Sequence, residues 1–198
     1  MLLKLIDDMN RALDANCYLA ALAIALTLPD ICGKAEYPSA SNTRRYIDWY
    51  NKYIAAFECP PSYEGAEPEN MPYLSGEVVY NLRNSFLHQG NPNVDNGKIK
   101  QNENKIDKFS LVIQSKNEFD IYSDASCVQS DCTGTTIRSY RVNVRRLCFI
   151  LGSTAKGYYE ENKEKFDFFQ YEIIDWDKEM EKANITFNWQ RGGTNEQH

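Results

Sequence analysis

The stretch Ser75-Gly76-Glu77-Val78-Val79-Tyr80-Asn81-Leu82-Arg83-Asn84-Ser85-Phe86-Leu87-His88-Gln89-Gly90 carries the period that decides the fold. Val78, Val79, Leu82 and Phe86 fall on one stripe of a helix that begins near Ser75, and Gly90 followed by Pro92 stops it. The same period recurs outward in both directions. Leu2, Ile6, Met9 and Leu13 mark a first amphipathic helix. A second, apolar nearly all round, runs from about Asn16 to Leu28 and is punctuated by Pro29 and Gly33. After a loop over residues 34–40, Ser41 or Asn42 caps a third helix, whose Tyr46, Ile47, Trp49, Tyr50, Tyr53, Ile54 and Phe57 gather on one side until Pro60 and Pro61. Residues 59–72 have no period and read as a surface loop.

From Asp107 the period changes to two. Phe109, Leu111 and Ile113 alternate with Ser110, Val112 and Gln114, and Lys116-Asn117 turns the chain toward Phe119 and Ile121, the pattern of a β-hairpin. Thr136 to Val142 reads as a third strand. Helical spacing then returns in Val144, Leu147, Cys148, Leu151, Ala155 and Tyr158, with Asn143 as cap. Phe168, Phe169, Tyr171, Ile173, Ile174 and Trp176 form a short strand or a docking segment. The expected fold is mainly α: one domain over residues 1–198, a bundle of about five helices, with a small antiparallel β-sheet inserted at residues 107–142. Residues 192–198 read as a frayed tail.

The chain has 198 residues, 42% hydrophobic and 25% charged, the balance of an ordinary globular protein. Its apolar run from Leu19 to Leu28 follows Asp7, Asp8 and Asp14, the wrong charge for an export signal, and is shorter than the roughly 20 residues a bilayer span needs. A buried core helix and no membrane contact are expected. Six scattered cysteines point to a cytoplasmic location with reduced thiols. Cys127 and Cys132 lack the further ligands that a zinc site needs, so they read as two loop thiols and no metal or cofactor is expected.

Net charge is −6, which opposes contact with polyanions except at a local basic patch, and no DNA binding is expected. One patch exists. Between Cys132 and Tyr159 there is no acidic residue, whereas Arg138, Arg141, Arg145, Arg146 and Lys156 fall inside. They are either an RNA-binding surface or a solvated face.

No phosphate-cradling glycine loop, dinucleotide fingerprint or HExxH motif is present. The only histidines are His88 and the terminal His198, so nucleophilic or acid–base chemistry that needs an imidazole must use His88. Asn84 shares a helix face with His88. Arg83, five positions away, is rotated by about 140° on an ideal α-helix, which a long side chain or a distorted last turn has to make up. Without such help, His88 reads as a helix cap.

Arg83-Asn84-x-x-x-His88 near the end of an amphipathic helix resembles the RX4-6H motif of HEPN domains, in which a polar residue often follows the arginine. The resemblance covers the helices within residues 1–92 and 143–166, and the sheet departs from the minimal family fold as an insertion. Many HEPN proteins are metal-independent endoribonucleases that act as homodimers, with two motifs meeting in a shared cleft. The resemblance thus implies RNA as substrate, attack by the 2′-OH, Arg83 stabilising phosphate charge, His88 moving the proton and Asn84 orienting either. Asp30 is a secondary candidate for orienting the site, its bland alternative being an acidic residue near a helix end. The implied setting is a toxin, with an antitoxin protein as partner, or a host-defence effector. Two alternatives are a non-catalytic HEPN-like dimer that binds nucleotide, RNA or a partner protein, and a plain helical scaffold.

Overall fold

In the computed structural model, residues 1–57, 74–90, 108–113, 122–123, 129–130, 136–137 and 139–183 are described. The fold is mainly α. Helix α1 (Leu2–Asp14) buries Leu2, Ile6 and Met9 on one stripe, as the spacing predicts. Helices α2 (Tyr18–Ala25) and α3 (Leu28–Glu36) replace the single second helix expected from sequence. The chain bends at Leu26 and Thr27, and Pro29 lies in the first turn of α3, where its missing N–H has no helical partner to lose. Pro29 therefore begins a helix and does not end one. Gly33 lies inside α3 for another reason: a Cβ there would stand 2.5 Å from the Arg45 carbonyl oxygen, so only glycine lets α3 approach the next helix.

Together Tyr18–Glu36 form a largely apolar helical stretch of 19 residues, long enough for a membrane span by length alone, and half of it is buried inside the protein. Ala21, Leu22, Ala25, Leu26, Leu28 and Cys32 belong to the main core, which accounts for that apolarity.

Helix α4 (Asn42–Tyr50) is capped by Ser41, whose Oγ accepts from Arg44 N–H, and continues into a π-helical turn, Asn51–Ala55. Trp49, Tyr46 and Tyr50 are its fully buried side chains. Helix α5 (Gly76–Asn84) begins at Ser75, whose Oγ accepts from Val78 N–H, and buries Val78, Val79 and Leu82. Helix α6 (Val144–Glu161) is capped by Asn143 as expected and packs Leu147, Leu151, Ala155 and Tyr158 into the same core. Tyr158 meets Trp49, Tyr53 and Phe166 edge-on, with ring centroids 5.8, 5.1 and 5.9 Å away, contacts worth about 0.5–1.5 kcal/mol each beyond burial.

The strands lie between α5 and α6. Their pairing corrects the antiparallel sheet expected from the sequence. β1 (Lys108–Val112) runs parallel to β5 (Ser139–Asn143), with Phe109 opposite Tyr140, and β2 (Tyr122–Ser123) lies antiparallel on the other side of β5. A separate two-stranded pair joins β3 (Gln129–Ser130) and β4 (Thr136–Ile137). Alternation in the sequence fixes which residues share a face, but not the direction of the partner strand. Lys116-Asn117, Phe119 and Ile121 of the expected hairpin lie outside the described residues. So do the loop with Pro60 and Pro61, Cys127, Cys132, Arg138 and the tail at residues 192–198. Beyond Phe166 the aromatic segment forms no strand; it leads into a short helix at residues 176–183 whose Trp176 and Met180 are exposed.

Glu36, in the last turn of α3, ties the helices together. Its two oxygens accept from Lys52 Nζ at 2.6 Å, Tyr53 Oη at 3.0 Å, Tyr158 Oη at 2.8 Å and Lys165 Nζ at 2.9 Å. These donors, led by Lys52, hold its carboxyl down from 4.5 to about 2. A depressed carboxyl stabilises the fold above pH 4.5 and loses that contribution as pH falls toward 2. The full shift corresponds to about 3 kcal/mol, which we reduce to about 2 because the two lysines stand largely in water. Glu36→Gln should therefore be less stable than wild type at pH 7 in urea denaturation, and the gap should close between pH 4.5 and 2. A gap that persists unchanged at pH 2 would show that Glu36 contributes by packing alone.

Candidate functional site

Helix α5 does not end as an α-helix. Ser85–Gln89 forms a π turn, in which Gly90 N–H bonds to the Ser85 carbonyl five residues back, and Gly90 then leaves in the left-handed conformation with φ of 60°. An i to i+5 ladder stacks residues five apart, as Arg83 and His88 are. Of the two ways to close the angular offset, a distorted last turn is thus present. Arg83 Nη1 lies 3.0 Å from His88 Nε2. A guanidinium has no acceptor, so Nε2 must present its lone pair, which leaves the ring proton on Nδ1 in this arrangement.

Asp30 joins the same cluster from the first turn of α3. Arg83 Nε and Nη2 each lie 2.9 Å from Asp30 Oδ2, and Arg83 Nη1 also donates to Asn84 Oδ1 at 2.9 Å. Arg83 and Asp30 are each 80% buried at the side chain, whereas His88 is exposed. Burial raises the Asp30 carboxyl above its usual value; the Arg83 charge and hydrogen bond oppose this, followed by the charges of Arg45 and His88. The structure therefore brings all four motif-linked residues, Arg83, Asn84, His88 and Asp30, into one cluster. Asp30 proves to be a direct partner of Arg83.

Several neighbours carry no sequence signal of their own. Tyr80, one turn before Arg83, places its ring centroid 5.8 Å from the guanidinium carbon, and its hydroxyl accepts from Thr43 Oγ1 at 2.9 Å. The three-residue spacing of Tyr80 and Arg83 was the only available hint. Tyr46, fully buried, meets the Tyr80 ring edge-on at 5.2 Å and donates to the Leu26 carbonyl. Burial, with the Asp30 charge second, raises its hydroxyl far above the usual phenol value.

The basic patch is not a uniform binding surface. Arg145 donates to Asn16 Oδ1 at 3.1 Å and Tyr18 Oη at 2.8 Å, with its guanidinium over the Tyr18 ring, so it braces α6 against the α1–α2 turn. Asn16 holds that turn with a φ of 58°. Arg146 lies beside the Phe149 ring, and Arg141 is exposed on β5. Among the described residues, no group of three His, Cys, Asp or Glu side chains converges on a metal position.

Compared with known proteins, the chain matches no family model, no characterised sequence and no solved structure. Its functional reading rests on the geometry of this cluster.

Proposed function

We propose that this protein is a metal-independent endoribonuclease of HEPN type, acting as a homodimer, with Arg83, Asn84 and His88 as its half-site. The contact between Arg83 and the His88 ring through a π turn carries the reading, because it joins a guanidinium to the only internal histidine by a rare backbone device. In the reaction, the RNA 2′-oxygen bonds to phosphorus while the bond from phosphorus to the 5′-oxygen breaks. His88 Nε2 takes the 2′-OH proton once that hydroxyl replaces Arg83 at the lone pair, and the histidine of a second copy, in its protonated form, returns a proton to the 5′-oxygen. Asp30 holds the guanidinium in register. Two copies are needed because one chain offers a single internal histidine. Among the described residues, Asp30 is the carboxylate that reaches this cluster, and its bond to Arg83 suits proton transfer better than cation binding. Free thiols at Cys17, Cys32 and Cys148 fit a cytoplasmic setting, and a toxin or defence role suits such an activity.

Purified protein should cut single-stranded RNA in the presence of EDTA and leave 2′,3′-cyclic phosphate and 5′-hydroxyl ends. Wild type that is inert toward diverse RNAs would end the enzyme reading. One observation favours a second reading, a module that binds RNA without cutting: the Nε2 lone pair is already engaged by Arg83. Binding of RNA with no cleavage would select it.

A further inference from the structure

Beyond Phe166 the chain leaves the bundle as an arm that carries apolar surface into water. Its root is fixed: Phe166 is buried against Tyr158 and Tyr159, and Phe168 stacks on Phe166 with the Lys34 ammonium over its ring. Past that root Tyr171, Ile173, Ile174, Trp176 and Met180 are all exposed, Trp176 by 68%. Trp176 and Met180, four positions apart, share one face of the helix at residues 176–183. Apolar side chains exposed in such a run mark an interaction surface. The arm is also acidic. Over residues 167–182 six carboxylates stand against Lys178 and Lys182, a net charge of −4, and both lysines pair inside the arm at 3.0 and 2.9 Å. A surface that fits it has to be both apolar and basic.

Helix α6 presents such a surface on the side away from the core. Phe149, Ser153, Lys156 and Gly157 follow at helical spacing and are all exposed, Phe149 by 52%. The Arg146 guanidinium lies 5.9 Å from the centre of the Phe149 ring, and α6 has no acidic residue before Glu160. Gly157 answers no need within the chain: no described atom would lie within 4 Å of a Cβ there, although glycine weakens a helix interior. A close approach from outside accounts for it. The arm does not cover the α6 of its own chain, since Trp176 and Phe149 both stand in water. Pairing α6 with the α6 of a second copy would bring like charges together, whereas the arm of a second copy brings the opposite charge.

We propose that two copies of this chain exchange arms, the acidic arm of each lying through Trp176 and Met180 on the basic outer face of α6 in the other. Residues 169–175, in neither helix nor strand, give the arm a reach of about 23 Å. The ribonuclease reading needs two copies without saying what joins them, and the exchange does not depend on that activity. Sedimentation of the full chain over a range of concentration should show a dimer. Trp176→Ser with Met180→Ser should weaken it at least about 30-fold, the size expected of a tryptophan central to an interface. An arm of reversed charge (Glu172→Lys, Asp177→Lys, Glu181→Lys) and a face of reversed charge (Ser153→Glu, Lys156→Glu) should each weaken it at least about tenfold when alone. Mixed together, the two charge variants should dimerise again, because each arm then meets a face of opposite sign. All the replaced residues are exposed, so the wild-type thermal midpoint should be kept in every variant. A monomeric wild type, a dimer indifferent to the folded arm variants, or a mixture no better associated than its components would each overturn the exchange. An exchanging dimer that cuts no RNA would uphold it and end the ribonuclease reading alone.

Discussion

Replacing His88 by alanine is expected to lower RNA cleavage by about 10²- to 10⁴-fold, the usual contribution of a positioned acid or base, while leaving the fold intact. The second half of that expectation follows from placement. His88 is exposed, at the end of α5, and belongs to none of the buried core. His88→Asn sharpens the test, because its amide oxygen keeps an acceptor for Arg83 yet cannot carry a proton through the reaction. Both variants should retain the wild-type thermal midpoint and both should be inactive. Cleavage by His88→Asn at a rate near wild type would mean that the ring only fastens Arg83.

The second large effect concerns stability. Arg83→Met leaves the Asp30 carboxylate mostly buried without its partner, and stranding such a charge costs about 3–5 kcal/mol. Since one fifth of each side chain remains in water, the lower end, about 3 kcal/mol, is expected at pH 7. Adding Asp30→Asn should restore most of that loss. Asp30→Asn alone should cost less than Arg83→Met at pH 7, because its amide oxygen still accepts from Arg83. The direction of the Asp30 shift adds to this: a carboxyl raised on folding favours the folded state when protonated, and that contribution is lost as pH rises through its folded value. Activity should not follow stability. The double variant should be nearly as stable as wild type and catalytically dead, since its half-site then lacks the guanidinium. Denaturation and cleavage measured on the four proteins give both quantities. A double variant no more stable than Arg83→Met would show that Arg83 acts through packing and not through Asp30.

Much of this could be read in the chain and some could not. The stripe Val78, Val79, Leu82, the stop at Gly90 and the cap at Asn143 are local signals, and each operates within one turn of its own helix. Pro29 misled because the same ring that ends one helix is welcome at the start of the next. The parallel pairing of β1 with β5 depends on where the rest of the chain goes, which alternation does not encode. The motif marked Arg83 and His88, and the angular mismatch between them left either a long side chain or a distorted turn to close it; the π turn at Ser85–Gln89 has no marker in the local pattern. Asp30 was a secondary candidate with no partner named, because its bond to Arg83 crosses 53 positions of sequence.

A π turn is an α-helix with one residue too many. Removing any one residue between Arg83 and His88 would let the helix relax to regular winding and would bring the histidine to i+4, about 40° from its arginine. Such a deletion would produce a more regular helix and would remove the π turn that joins Ser85 to Gly90. The half-site thus has the form of an insertion that the fold tolerates: a single extra residue, absorbed as a bulge at a helix end, is enough to turn a cap into a candidate catalytic pair.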